Sequence, residues 1–272
     1  MTRAPASLSS GAAHPPAAVP LSTGSLWLVP APLDFGCDVE VPLQLLMPQG
    51  TLEVTARLSH WVCENAKSTR AYLKRVGEIV PLRTQIQAQT LQELPREVHK
   101  KGDHQGGFDA RPLLGAALQG RDVGLVSEAG MPAVADPGSS VVRAAHHLGV
   151  QVLPLVGPVS LMLALAASGL NGQNFAFVGY VPTDPTERTQ RIKSLESLAL
   201  RTQQTQLFIE TPYRNQTLLS ALLQTLQPST RLATASGLTL PSPENFSADV
   251  RTWKLRGWTL NNATPTVFSI GP

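Results

Sequence analysis

From Ser25 onward, short apolar runs alternate with stretches whose apolar residues recur at helical spacing. SLWLVP (25–30) predicts a buried strand closed by proline, and HWVCEN (60–65) predicts a second. AKSTRAYLKRVG (66–77) follows with helical spacing and a glycine stop. RDVGLVS (121–127) and VQVLPLV (150–156) predict two further strands. Between them, Asp136 reads as a helix N-cap, Pro137 as the first helical residue and Gly149 as the stop. This strand–loop–helix–strand order implies a parallel sheet with right-handed crossovers.

A second series starts after a helix over 159–168 and the loop GLNGQN. FAFVGY (175–180) reads as a strand, TERTQRIKSLESLAL (186–200) as a helix and QLFIE (206–210) as a strand. A helix is expected after TPYRNQ, then strands at RLATAS (231–236) and TPTVFSI (264–270). The pattern is α/β, in two units covering 25–157 and 158–272, behind a leader of residues 1–24. Segment 91–110 breaks the pattern. It is polar, carries His99, Lys100, Lys101 and His104, and reads as a mobile loop.

Composition narrows the setting. Hydrophobic residues make up 42% of the 272, enough to bury a real core. A formal charge of +3 permits a nucleic-acid partner without requiring one. Cys37 and Cys63 form neither a disulfide framework nor a metal set, no cluster has metal-ligand spacing, and a reducing cytoplasm is the expected location. No apolar run approaches the roughly 20 residues of a membrane span. The leader is rich in Ala, Pro, Ser and Gly, without the apolar core of a secretory signal, and reads as disordered.

The candidate chemistry lies in three loops at strand ends. They are Pro30–Gly36, Glu128–Asp136 and Gly157–Ser160, each combining glycine with proline. Glycine lets a flat ligand approach the backbone, and proline stiffens the loop before anything binds. None matches the dinucleotide fingerprint or the P-loop. In an open parallel sheet, loops beyond the carboxyl ends of the strands are where ligands bind.

Residues 125–167 resemble the tetrapyrrole methylase family, in particular its branch of 16S ribosomal RNA cytidine 2′-O-methyltransferases. The branch pattern V-S-D-A-G-T-P-G-I-S-D-P-G is met by Val126-Ser127-Glu128-Ala129-Gly130-Met131-Pro132-Ala133-Val134-Ala135-Asp136-Pro137-Gly138. Leu28–Phe35 resembles L-V-P-T-P-I-G-N, Gly157–Ser160 resembles G-P-S-A, and Ile209–Arg214 resembles Y-E-S-P-H-R. The resemblance implies two α/β domains of tetrapyrrole-methylase type with a cofactor cleft between them. It also implies S-adenosylmethionine as cofactor, RNA as acceptor, and a homodimer. By position it assigns donor contacts to Leu33, Gly130, Met131, Val134, Val159, Ser160 and Tyr180, with further contacts near Glu210, Pro212 and Ala235.

On the acceptor side the chain departs from the branch. E-D-T-R-x-T-R is met by Glu64-Asn65-Ala66-Lys67-Ser68-Thr69-Arg70, in which Glu64, Thr69 and Arg70 survive, and the resemblance makes Glu64 and Arg70 the catalytic candidates. A lysine at 67 lacks the two-pronged grip of arginine on phosphate. A-R-E-L-T-K becomes Ala235-Ser236-Gly237-Leu238-Thr239-Leu240. Glu64 reads either as an acceptor-orienting group or as an ion pair with Arg70, Arg214 either as an anion clamp or as a solvated helix start, and Glu128 either as a donor contact or as a solvated strand end. His146 and His147 read as a partly exposed helix face. HKKGDH (99–104) reads either as a phosphate contact or as a solvated loop. The alternatives to RNA methylation are a methyltransferase for a small heterocycle or a protein acceptor, and a dimeric module that binds S-adenosylmethionine without catalysis.

Overall fold

The computed structural model describes residues 23–34, 36–101 and 107–272. Residues 1–22 of the expected leader and Gly102, Asp103 and His104 of the HKKGDH segment lie outside them. The first half comprises β1 (Ser25–Leu28), α1 (Gln49–Arg57), β2 (His60–Cys63), α2 (Ala66–Gly77), β3 (Thr90–Glu93), α3 (Arg96–Lys101), α4 (Gly115–Leu118), β4 (Val123–Val126), α5 (Ser139–His147) and β5 (Gln151–Pro154). The second comprises α6 (Ser160–Ser168), β6 (Phe175–Tyr180), α7 (Pro185–Thr202), β7 (Thr205–Glu210), α8 (Asn215–Thr225), β8 (Arg231–Ser236), β9 (Glu244–Asp249), α9 (Val250–Arg256) and β10 (Thr266–Gly271).

In the first sheet the strand order is β3-β2-β4-β1-β5, with every pair parallel. Parallel strands need cover on both faces, and two apolar clusters supply it. One gathers Leu52, Trp61, Leu73 and Val76, the other Leu26, Leu114, Leu125 and Val141. Gly124 allows this packing. A Cβ there would meet Trp61 Cζ3 at 2.4 Å, so the bare backbone lets the indole lie across the strand. The indole N–H then donates to Gln89 Oε1 at 2.7 Å, a buried hydrogen bond.

The second sheet has the order β6-β7-β10-β8-β9 and is mixed. Only β6 and β7 run parallel, and the other pairs are antiparallel. α6 packs on β8 and β10, and its Leu161, Ala164 and Leu165 join Leu207, Ala235 and Val267 in a small cluster. A larger core takes in Ile192, Phe208, Leu219, Trp253 and Phe268.

Three expectations are corrected. The segment read as a mobile loop instead opens with most of β3 and all of α3; β3 pairs along β2 at the sheet edge and needs little apolar character there. β9 was not expected either. Its sequence ENFSAD is polar because it too is an edge strand. Finally, α5 starts at Ser139 with Gly138 as N-cap at φ 135°, so Asp136 caps nothing. The glycine moves the helix start downstream and leaves the Asp136 carboxyl free for other work. Among the described residues, no helix is long and apolar enough to cross a membrane.

Candidate functional site

Loops at the carboxyl ends of the first sheet face the second sheet across a cleft of about 370 Å³. That is within the usual size range of small-molecule sites. The loop after β1 and the loop after β4 are laced together: Ala31 N donates to Gly130 O at 2.8 Å, and Gly130 N returns to Ala31 O at 3.0 Å. A Cβ on Gly157 would stand 2.3 Å from Pro30 Cγ, so the third loop sits hard against the first. The β1 loop is anchored from behind as well. Arg75 of α2 donates to Asp34 Oδ1 at 3.1 Å and Oδ2 at 2.9 Å, while Val41 N donates to Oδ2 at 2.8 Å. Asp34 is buried, so this fork ties the loop to the helix in a site with little water.

The loop after β4 carries backbone strain. Gly130, Ala133, Ala135 and Gly138 all have positive φ, and for the two alanines this is costly. The loop folds on itself through Ala133 N to Pro137 O at 3.2 Å and Val134 N to Met131 O at 3.3 Å. Strain of this kind concentrates at ligand clamps.

Leu33, Gly130, Met131, Val134, Val159, Ser160 and Tyr180 all line the cleft, and so do Glu210, Pro212 and Ala235. Leu33, Val159, Ile209, Leu238 and Val267 give it apolar walls. Against these stand four carboxylates, Glu64, Glu128, Asp136 and Glu210. Glu64 Oε2 accepts from the backbone N–H of Glu128 at 3.1 Å, which ties the end of β2 to the end of β4. Ser68 Oγ donates to Glu128 Oε1 at 3.3 Å. Burial, with Glu64 and Glu128 close by, pushes the Asp136 carboxyl up to about 7. The Tyr180 phenol is raised too, by burial first and then by Asp136 and Glu210.

The two catalytic candidates separate. Glu64 is in the cleft, but Arg70 is exposed, does not line it, and turns back to Ala66 O at 3.4 Å. The ion pair between them does not form, because Glu64 lies before the N-cap Asn65, off the helix, and spends its carboxylate on the Glu128 N–H. Arg214 is neither a free clamp nor a solvated end. Its guanidinium donates to Glu210 Oε1 at 2.6 Å and its Nε to Thr211 Oγ1 at 3.2 Å. Glu128 is a cleft group, and His146 and His147 are exposed as expected. Asp136 is the group that sequence reasoning missed. The signal was Gly138, whose conformational freedom makes it a better helix boundary than the aspartate two residues earlier. Among the described residues, no cluster of ligating side chains is arranged to hold a metal ion.

The family profile of the Tetrapyrrole (Corrin/Porphyrin) Methylases matches residues 59–250. The ribosomal RNA small subunit methyltransferase I of Mesorhizobium japonicum is 31% identical over 229 residues, which span 84% of this chain and 68% of that protein. The protein of the same name from Micromonospora olivasterospora is 35% identical over 205 residues, 75% of this chain and 56% of that one. For the one from Escherichia coli O157:H7 the values are 28% over 159 residues, 58% and 47%. The chain thus spans between about half and two thirds of these relatives. A crystal structure of the methyltransferase CobJ shares the fold, with a TM-score of 0.54 at 20% identity over 92% of this chain and 94% of that one.

Proposed function

Because the chain belongs to the tetrapyrrole methylase family, we propose that it is an S-adenosylmethionine-dependent methyltransferase acting on an RNA ribose hydroxyl. The observation that carries this reading is the cleft itself: apolar walls, a preformed loop of strained backbone, and four carboxylates, of which Glu210 is already paired with Arg214. A sulfonium and an ammonium are both cations, and a negative, partly desolvated cleft favours them. The apolar walls suit the adenine. Leu33, Gly130, Met131, Val134, Val159, Ser160 and Tyr180 would hold the donor.

The bound donor supplies an electrophilic methyl carbon, so the chain's own task is alignment, exclusion of water and proton removal. Transfer to a hydroxyl forms an O–CH3 bond, breaks the S–CH3 bond and releases one proton. A carboxyl near 7 is matched to accept that proton at neutral pH, which makes Asp136 the candidate base. Glu64 acts through the loop: by holding the Glu128 N–H it fixes the wall on which Asp136 sits. Arg70, outside the cleft, is a contact for an approaching acceptor rather than part of the transfer machinery.

A second reading, a small uncharged heterocycle as acceptor, is favoured by one observation. The cleft wall from Ala235 to Leu240 carries no basic residue, and four carboxylates repel phosphate. Labelled methyl transfer into total RNA, compared with a small-molecule extract, separates the two. Label in RNA supports the first reading, and label only in the extract supports the second. We further propose a homodimer working in the cytoplasm. Met162 and Leu163 on α6 and Phe175 and Phe177 on the edge strand β6 are exposed, as expected of a face covered by a second copy. Sedimentation at twice the chain mass is the expected result.

A further inference from the structure

At the amino end of the first sheet, away from the cleft, a polar hollow of about 500 Å³ is lined by Arg57, His60, Arg83, Thr84, Arg121 and Asp122, among others. We infer that this hollow binds a phosphate group. Three guanidiniums reach it from separate parts of the chain: the last residue of α1, the segment after α2, and the turn before β4. The carboxylate in the hollow is already committed. Asp122 Oδ1 accepts from Ser25 N at 2.9 Å, and its Oδ2 lies 3.9 Å from Arg57, too far for a hydrogen bond. The hollow therefore carries net positive charge, with donors left over.

Two of the guanidiniums are held in place by contacts that leave donors to spare, although Arg57 is also loosely paired with Asp122 at 3.9 Å. Arg57 lies over the Trp27 ring, 4.8 Å from its centroid, and this stacking leaves its N–H groups available. Arg121 donates to His60 Nε2 at 3.2 Å, so that nitrogen must be the acceptor and the imidazole neutral. Its proton then sits on Nδ1, 3.1 Å from Ser59 Oγ. Burial, and after it the charge of Arg121, lowers the His60 pKa. An uncompensated guanidinium pressed against an imidazole is the arrangement a bound anion relieves. The chemistry of the guest follows from the lining. Its apolar member, Leu58, is 2% exposed, so a base or a hydrocarbon finds no surface to cover. Guanidinium forks match the oxygens of phosphate. The group comes from free phosphate or from an RNA backbone, and the inference holds whether or not the cleft transfers methyl groups.

The test is a titration of the imidazole resonances with inorganic phosphate, at constant ionic strength set by chloride, on the full chain. Phosphate at roughly millimolar concentration is expected to raise the His60 pKa by about one unit, because the anion offsets Arg121. The double variant Arg83→Gln/Arg121→Gln, both exposed positions, is expected to weaken phosphate binding at least about tenfold while the fold, judged by the amide spectrum, is kept. A short single-stranded RNA is the second arm. Competition with phosphate for His60 identifies the backbone as the natural occupant, and its absence identifies free phosphate. If phosphate moves His60 no more than chloride does, or if the double variant binds phosphate as well as the parent chain, the inference fails.

Discussion

The same parallel strands of the first sheet end in acid and begin in base. Along β2, His60 sits among arginines at one end and Glu64 among carboxylates just past the other, about 13 Å away at the usual rise of a strand. β4 repeats the contrast, with Arg121 and Asp122 before it and Glu128 two residues after it. The two ends are also built differently. At the carboxyl end, glycine and proline loops are laced by backbone hydrogen bonds and carry strained φ angles; at the amino end, flexible side chains stand on ordinary turns. A sulfonium donor needs a stiff, shaped, negative berth, whereas a phosphate needs only convergent donors. Parallel topology separates the two environments, since all the carboxyl ends lie on one side and all the amino ends on the other.

Altering the acidic end at Asp136 gives the largest expected effect. Asp136→Asn keeps the shape but removes the base, and turnover should fall by about 10²–10⁴-fold. In the parent chain, activity should rise with pH through about 7, as the carboxyl ionises. Stability runs the other way. The folded carboxyl is raised from 3.8 to about 7, so its favourable contribution is full below about pH 4 and is lost as pH climbs through 7. Thermal denaturation should therefore find Asp136→Asn more stable than the parent at pH 8, with the gap closing toward pH 4.

Next in size is the support behind that end. Asp34→Asn leaves Arg75 without its buried partner and should cost about 3–5 kcal/mol in denaturant unfolding, with loss of donor binding. Midway along β4, between the two ends, Gly124→Ala drives a methyl into Trp61. About 1–3 kcal/mol of destabilisation is expected by the same measurement. Smallest is the effect of the amino end on the other. Arg83→Gln/Arg121→Gln should leave S-adenosylmethionine affinity within about twofold, since sites this far apart couple weakly. A larger loss would mean that the two ends do not work independently.

The fold was legible wherever burial wrote the pattern. Runs such as GLVS and QLFIE are apolar because their strands, β4 and β7, are buried, and α2 ends at Gly77 as its glycine stop implies. The edge strands β3 and β9 were illegible because one open side relaxes the demand for apolar residues. At the candidate site, the loop glycines and prolines announced a cleft because they answer to local backbone geometry. Side-chain partnerships were harder to see. The Glu64–Glu128 bond spans 64 residues, and the Arg57, Arg83 and Arg121 guanidiniums meet only through the sheet. Asp136 was misread because Asp-Pro satisfies the helix-start rule in isolation, and only the φ of Gly138 shows that the helix begins later.

Whether the acidic cleft is a berth for a sulfonium nucleoside is decided by calorimetry with S-adenosylmethionine and S-adenosylhomocysteine. Saturable one-site binding is expected, abolished by Asp34→Asn and left intact by Arg83→Gln/Arg121→Gln. No heat from either compound at millimolar concentration, with the parent chain folded, would contradict it.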